Sequence, residues 1–405
     1  MTLAGLTSPT VVGVIAILTL VLTLYQACVE APLRQIAFRT LQAGSGGTEF
    51  IKRASTTGGF LGSLLLLIIA TALILGESMS EEAGRVTLLI FALVPLVTSK
   101  SLRRLMECQR DGDWRRIAIS RMGATFVSFI AAAGFVVIGV PVAAVPVQAF
   151  ACEVVFWLLI RPGTPKTAAV VGGTQDVSFF SDFRSTALLS LFGWLRGQGD
   201  RLALSIIAGP GALGVYTIGY AFARAGFDGA ANGSMNLFRS RLAQGNLSSG
   251  SRTNSLFRSQ LFLLIVIAGF ISGISLVATA ILYKLFLGEV WRTSVAIAPM
   301  IVASSFACAY TWSMNAYLNH TGQTRKAYKI QWFEIIAGLG VAAVIAWNIY
   351  FGIVCLVLRD VLSAIFLAVV AREEIEVRHC LVWGLPCLGS FVLALLSWYL
   401  IGGIY

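Results

Sequence analysis

LFGWLRGQGDRLALSIIAGPGALGVYTIGYAFARAGFDGAANGSMN, residues 191–236, decides the fold. It falls in two apolar runs, 186–208 and 212–236, each a little over the roughly 20 residues that cross a bilayer, with only a Gly-Pro-Gly turn between them. Neither run is interrupted by the polar loops of a water-soluble domain, yet together they carry Arg196, Asp200, Arg201, Arg224 and Asp228. A charge at the centre of a span costs about 2.5–3.5 kcal/mol on insertion scales, so such residues turn toward a bundle interior or a wet cavity.

The rest of the chain repeats this pattern. Of 405 residues, 57% are hydrophobic and only 12% charged, and the mean hydropathy is +0.82, which excludes a water-soluble globule. Runs of spanning length lie at 9–28, 60–76, 86–102, 117–138, 141–160, 186–208, 212–236, 260–283, 294–318, 330–350, 352–371 and 381–404. The fold expected is all-α: a polytopic integral membrane protein of about 12 transmembrane helices. MTLAGLTSPTVV at 1–12 has no basic residue ahead of its apolar run and reads as a retained span, not a signal peptide.

The net charge of +11 would suggest nucleic acid on a soluble protein; here its distribution says otherwise. Of the 30 Lys and Arg residues, 23 fall on one alternate set of connections and three (Arg85, Lys284, Arg292) on the other. The first set is therefore cytoplasmic, both chain ends lie outside, and no nucleic-acid partner is implied. The remaining four, Arg196, Arg201, Arg224 and Arg359, sit inside apolar runs. The basic cluster KSLRRLMECQRDGDWRRIAISR at 100–121 serves as a topology determinant and is also suited to anionic headgroups.

RPGTPKTAAVVGGTQDVSFFSDF at 161–183 is the longest polar interruption, so 161–185 reads as a cytoplasmic linker. It separates an N-terminal helical lobe, 1–160 with about five spans, from a C-terminal lobe, 186–371 with about six; 372–405 adds a further span. The chain has two histidines, His320 and His379, and no HExxH, CxxC, GxSxG or P-loop string, so no metal or other cofactor is expected. The seven cysteines are scattered and read as small buried apolar residues.

Spacing organises the buried charges. Arg196 and Asp200, four apart, share a helix face, while Arg201 turns about 100° away, leaving one positive charge for a ligand. Thr217, Tyr220, Arg224, Asp228, Asn232 and Asn236 form one polar stripe; Ser304, Cys308, Thr311, Asn315 and Asn319 form a second. Helix glue and cavity lining both remain open for these stripes. Glu153, Glu334, Arg359 and Asp360 are further buried charges; Arg359 and Asp360, adjacent in sequence, point apart and are expected to find partners on other helices. Asp200, Asp228, Glu153 and Asp360 are the candidates for ion coupling, against the alternative of structural ion pairs. The guanidinium groups are expected to face a solvated chamber between two helix bundles.

At this point the residues resemble a known family. GDRLALSIIAGPGALGVYTIGYAFARA (199–225), with its in-span acid, Gly-bounded outer turn and LGxY opening, is similar to polysaccharide flippases of the multidrug/oligosaccharidyl-lipid/polysaccharide exporter superfamily, which serve O-antigen and exopolysaccharide synthesis. LFLGEVWRTSVAIAPM (285–300) resembles the family's Gly-x-x-Trp outer loop, and AYLNHTGQTRKAYKI (316–330) its cytoplasmic turn. SPTVVGVIA (8–16) and RRLMECQR (103–110) fit more loosely. The likeness runs from about residue 8 to 372 and enters at what is usually the second span, so the customary first helix is missing.

The resemblance implies two lobes around a central cavity that opens alternately to each side of a bacterial inner membrane. Its cargo would be an oligosaccharide on a polyprenyl diphosphate, moved outward for lipopolysaccharide or exopolysaccharide synthesis alongside a polymerase and export machinery. By position Asp200 is the family's acidic point and Arg224 its basic one. Arg196, Arg201, Asp228, Asn232, Asn315 and Arg359 are added here as cavity-lining candidates. No catalytic residues are expected. A drug or small-molecule exporter of the same superfamily, a membrane enzyme of polysaccharide assembly and a non-transporting scaffold stay open.

Overall fold

The structure is a computed structural model that describes residues 8–33, 45–75, 89–110, 113–140, 143–160, 179–244, 250–286, 288–320, 324–370 and 389. Eleven long helices occupy those residues, and there is no strand among them: α1 Pro9–Tyr25, α2 Ser45–Leu75, α3 Val94–Arg110, α4 Trp114–Val137, α5 Ala144–Leu159, α6 Phe179–Ile207, α7 Gly209–Gln244, α8 Gly250–Phe286, α9 Arg292–His320, α10 Thr324–Trp347 and α11 Ile349–Val370. Each falls on one of the first eleven expected spans. The span expected at 381–404 and the linker up to residue 178 lie outside the described residues, residue 389 apart. Among the described residues six stretches are long and apolar enough to cross a membrane: Pro9–Leu33, Ile51–Ala72, Arg115–Val137, Glu289–Asn315, Ile330–Trp347 and Ile349–Val370. The chain is an all-α polytopic membrane protein.

Local chemistry fixes the helix ends. Ser8 caps α1, its hydroxyl accepting from the Val11 amide at 3.4 Å with Pro9 following at the first position. Asp113 caps α4 by accepting from the Arg116 amide at 3.2 Å. After Tyr25 the first span continues as a π-turn, Gln26–Glu30. Between α6 and α7 the chain reverses at Gly209, whose φ of +77° a side chain would strain.

Helix contacts divide the described residues into two compact units, one within Leu6–Leu195 and one within Arg196–Tyr405. The division falls inside α6. In the first unit α4 packs on α5, and α2 on α1 and α3. Glycines let α2 approach closely: a Cβ on Gly62 would lie 2.5 Å from the Tyr25 ring, and one on Gly59 2.7 Å from Ser99 Cβ. Arg121 of α4 holds Glu153 of α5 at 2.7 Å. The outer face of α4 exposes Met122, Phe126, Phe129 and Ile130, as a helix does against lipid.

In the second unit α9 is the hub. Its apolar window is 72% buried, the highest share among the six spans, and it packs against α7, α8 and α11. Small residues, Ala303, Ala307 and Ala309, let those neighbours close in. The register of α7 against α9 can be followed step by step. Ser294 Oγ donates to the Val215 carbonyl at 2.9 Å, Gly219 abuts Ile297, and Phe227 stacks on Trp312 with centroids 5.9 Å apart. Both numbers rise together, so α7 and α9 run parallel.

Candidate functional site

The parallel register brings the two polar stripes together. Arg224, in the middle of α7, is only 2% exposed. Its Nε and Nη2 both donate to Asp228 Oδ1, at 3.1 and 2.9 Å, across one turn of its own helix. Its Nη1 donates to Ser304 Oγ and to Cys308 Sγ of α9, each at 3.0 Å. Phe227, Tyr220 and Trp312 surround the guanidinium with ring centroids 5.0, 5.7 and 5.9 Å away, within cation–π range.

Cys308 carries the network on to α11. Its thiol donates to Asp360 Oδ2 at 3.5 Å, and Asp360 Oδ1 accepts from Arg359 Nε and Nη2 at 3.0 and 2.7 Å. This last pair corrects the expectation that adjacent residues could not pair well. The backbone directions do diverge by about 100°, but the three-methylene arginine stem folds back across that arc and delivers two nitrogens to one oxygen. Gly338 of α10 lies against it, a Cβ there falling 3.4 Å from Arg359 Nη1, a nitrogen enclosed without a hydrogen-bond partner among the described residues.

The α6 charges settle differently from expectation too. Arg196 Nε pairs with Glu334 Oε2 of α10 at 3.0 Å, not with Asp200. Asp200 is engaged elsewhere, accepting from Tyr216 Oη at 2.7 Å and from the Arg201 amide at 2.8 Å. Arg201 lies over the Tyr220 ring at 4.2 Å and donates from Nη1 to Gln198 Oε1 at 3.1 Å, while its Nε has no hydrogen-bond partner among the described residues. Among the described residues Arg201 thus meets neutral groups, Gln198 and the Tyr220 ring, and makes no ion pair. Each of the four guanidiniums has found protein groups that offset part of the cost of leaving water.

Four arginines (Arg196, Arg201, Arg224, Arg359) and four carboxylates (Asp200, Asp228, Glu334, Asp360) thus form one set of formal charge zero within the Arg196–Tyr405 unit. Its most open ion-paired carboxylate is Asp228, with a side chain 29% exposed against 12% for Asp360 and 9% for Glu334. Asn315 lies on the same face of α9 as Ser304 and Cys308 and is 8% exposed, and neither amide atom has a hydrogen-bond partner among the described residues. Thr217 Oγ1 is also enclosed without one. The side chains of Asn232, Asn236 and Asn319 lie outside the described set. Glu153 belongs to the other unit and pairs with Arg121.

Several members escaped the candidate set. Tyr216 stands eight residues after the turn at Ala208, and Asp200 eight before it; hairpin symmetry was the available signal. Glu334 was visible as a buried charge but not as the partner of Arg196. Cys308 was read as a small apolar residue, although its place on the stripe marked it. Among the described residues no three His, Cys, Asp or Glu side chains gather as a metal-binding group. What the arrangement offers is exchangeable ion pairs: forked donors held by carboxylates that another anion could replace.

A family model described as polysaccharide biosynthesis protein matches residues 2–296. Arg196, Asp200, Arg201, Arg224 and Asp228 fall within that match, and the α9 to α11 partners beyond Ala296 fall after it. No curated protein matches, and no solved structure matches.

Proposed function

This chain belongs to the polysaccharide biosynthesis protein family, and from that premise we propose that it carries lipid-linked oligosaccharide across the bacterial inner membrane by alternating access. The observation that carries the reading is the Arg224–Asp228 fork, 2.9 and 3.1 Å, enclosed in an apolar helix unit. A polyprenyl diphosphate cannot take its charge through hydrocarbon alone. The Nε and Nη2 donors that converge here on Asp228 Oδ1 are the pair an arginine can present side by side to two oxygens of a phosphate. Asp228 Oδ1 holds the place that the cargo's anion would take.

Loading is then an exchange of counter-ions. Asp228, the more open partner, gives up the fork; the phosphate takes it; Arg224 stays charged throughout. Arg359, doubly bonded to Asp360 at 3.0 and 2.7 Å, offers a second fork of the same kind. Because the set is neutral when empty, anionic cargo adds charge that a proton or cation on a released carboxylate offsets. Asp228, Asp360, Asp200 and Glu153 are the candidates for that coupling, the first two as carboxylates already ion-paired to an arginine on their own helix and Glu153 as the partner of Arg121. The polyprenyl tail stays in lipid, and the saccharide lies along the polar stripes of α7 and α9. The protein performs transport and no covalent chemistry.

Deleting the gene accumulates lipid-linked repeat units on the cytoplasmic face, and Arg224→Ala inserts normally but fails to restore polymer at the surface. Unpolymerised units outside the cell would instead indicate an assembly enzyme, and full export by Arg224→Ala would remove Arg224 from the mechanism.

A further inference from the structure

We infer that Asn315 is the residue with which this site reads the sugar, pairing its amide with neighbouring hydroxyls of the saccharide. The inference rests on the transport reading and adds a specificity determinant to it. Three hydroxyls on α9 satisfy themselves locally: Thr311 Oγ1 donates to the Ala307 carbonyl at 2.8 Å, Ser313 Oγ to Ala309 at 2.9 Å and Ser304 Oγ to Ile301 at 2.9 Å, whereas Ser305 Oγ is enclosed without a partner among the described residues. Asn315 leaves two atoms in that state. Its donor nitrogen and acceptor oxygen are both enclosed and both without a hydrogen-bond partner among the described residues. A buried polar group in that state destabilises the empty protein, and a leucine of similar size would fit without the cost.

Position says what the amide awaits. At about 100° per residue, Ser304, Cys308 and Asn315 fall within about 40° of one another on α9, so the amide shares the face that binds Arg224. It stands seven residues beyond Cys308, about 10 Å along the axis. Trp312 lies between, stacked on Phe227 and reaching the Arg224 guanidinium. The α7–α9 seam therefore carries a cation fork from α7 and, further along α9, an aromatic ring and an unpaired amide in that order. A diphosphate followed by pyranose rings presents an anion, apolar ring faces and hydroxyl pairs in the same order. An amide offers a donor and an acceptor side by side, as a vicinal diol does.

The test uses the full-length purified protein, the Asn315→Leu variant, and two probes: bare polyprenyl diphosphate and the host's own lipid-linked repeat unit. Asn315→Leu melts no lower than wild type and binds bare polyprenyl diphosphate equally well, but binds the saccharide-bearing lipid about tenfold more weakly, the scale of one lost polar pairing. Unchanged affinity for the saccharide lipid, or equal weakening for both probes, overturns the assignment. Should leucine prevent folding, Asn315→Ala gives the same comparison. Wild-type protein that ignores bare polyprenyl diphosphate, or binds it equally with Arg224→Met, overturns the transport reading instead.

Discussion

Replacing Arg224 by methionine separates holding the fold from holding the cargo. The change keeps length and apolar contact with Phe227 and Trp312 but removes four hydrogen bonds, two to Asp228 and one each to Ser304 and Cys308. Ser304 retains its bond to the Ile301 carbonyl and Cys308 its bond to Asp360, so only Asp228 is left uncompensated. Removing one partner of a fully buried pair costs about 3–5 kcal/mol. Asp228 is 29% exposed and can hydrate in part, which lowers the expected cost to about 2–3 kcal/mol. For a unit of this size that is a melting temperature about 5 °C lower or more, read by thermal unfolding in detergent. Adding Asp228→Asn removes the stranded charge and returns stability to within about 1 kcal/mol of wild type. Export behaves differently. Two charge-assisted hydrogen bonds to phosphate are worth about 3 kcal/mol or more together, so polymer export in the single and the double variant falls about a hundredfold or further. If the double variant regained export together with stability, the pair would be structural and the counter-ion argument would be refuted.

Three further outcomes follow from packing and backbone geometry. Gly209→Val forces a β-branched residue to φ +77° and destabilises the α6–α7 hairpin by about 1–2 kcal/mol, measurable as a lower melting temperature, while Gly209→Asn costs less. Gly219→Leu places its Cβ 2.6 Å from Ile297 Cγ1 and 2.8 Å from the Ser294 carbonyl, prying α7 from α9; folded yield and export fall together, and unchanged yield would contradict the register given above. Glu334→Leu strands Arg196 and costs about 3 kcal/mol, whereas Arg196→Leu with Glu334→Leu recovers most of it, as a double-mutant cycle on melting checks.

The helices were legible because lipid imposes one rule on every span, and apolar length alone located eleven of them. The stripes were legible because a period of three and four is all that is needed to bring Arg224 and Asp228 onto one face. Pairing across helices was not legible. Arg196 has two carboxylates within reach, and only the packing of α10 on α11 and the hydroxyl of Tyr216 decide that it takes Glu334. Arg359 and Asp360 show the limit of face arithmetic, which positions Cβ atoms and ignores the reach of a long flexible stem. Cys308 shows another: a thiol reads as apolar until a guanidinium and a carboxylate are placed on either side of it.

The central claim, that the forked arginine exchanges its carboxylate for a cargo phosphate and so carries it through the bilayer, is tested most directly by reconstitution. Purified protein goes into sealed vesicles containing the host's lipid-linked repeat unit, and a saccharide-cleaving enzyme is added outside only. Wild-type protein makes the inner-leaflet pool susceptible, and Arg224→Met with Asp228→Asn, folded but without the fork, leaves that pool protected as in protein-free vesicles. Equal protection with wild-type protein, or equal susceptibility with the double variant, contradicts the account.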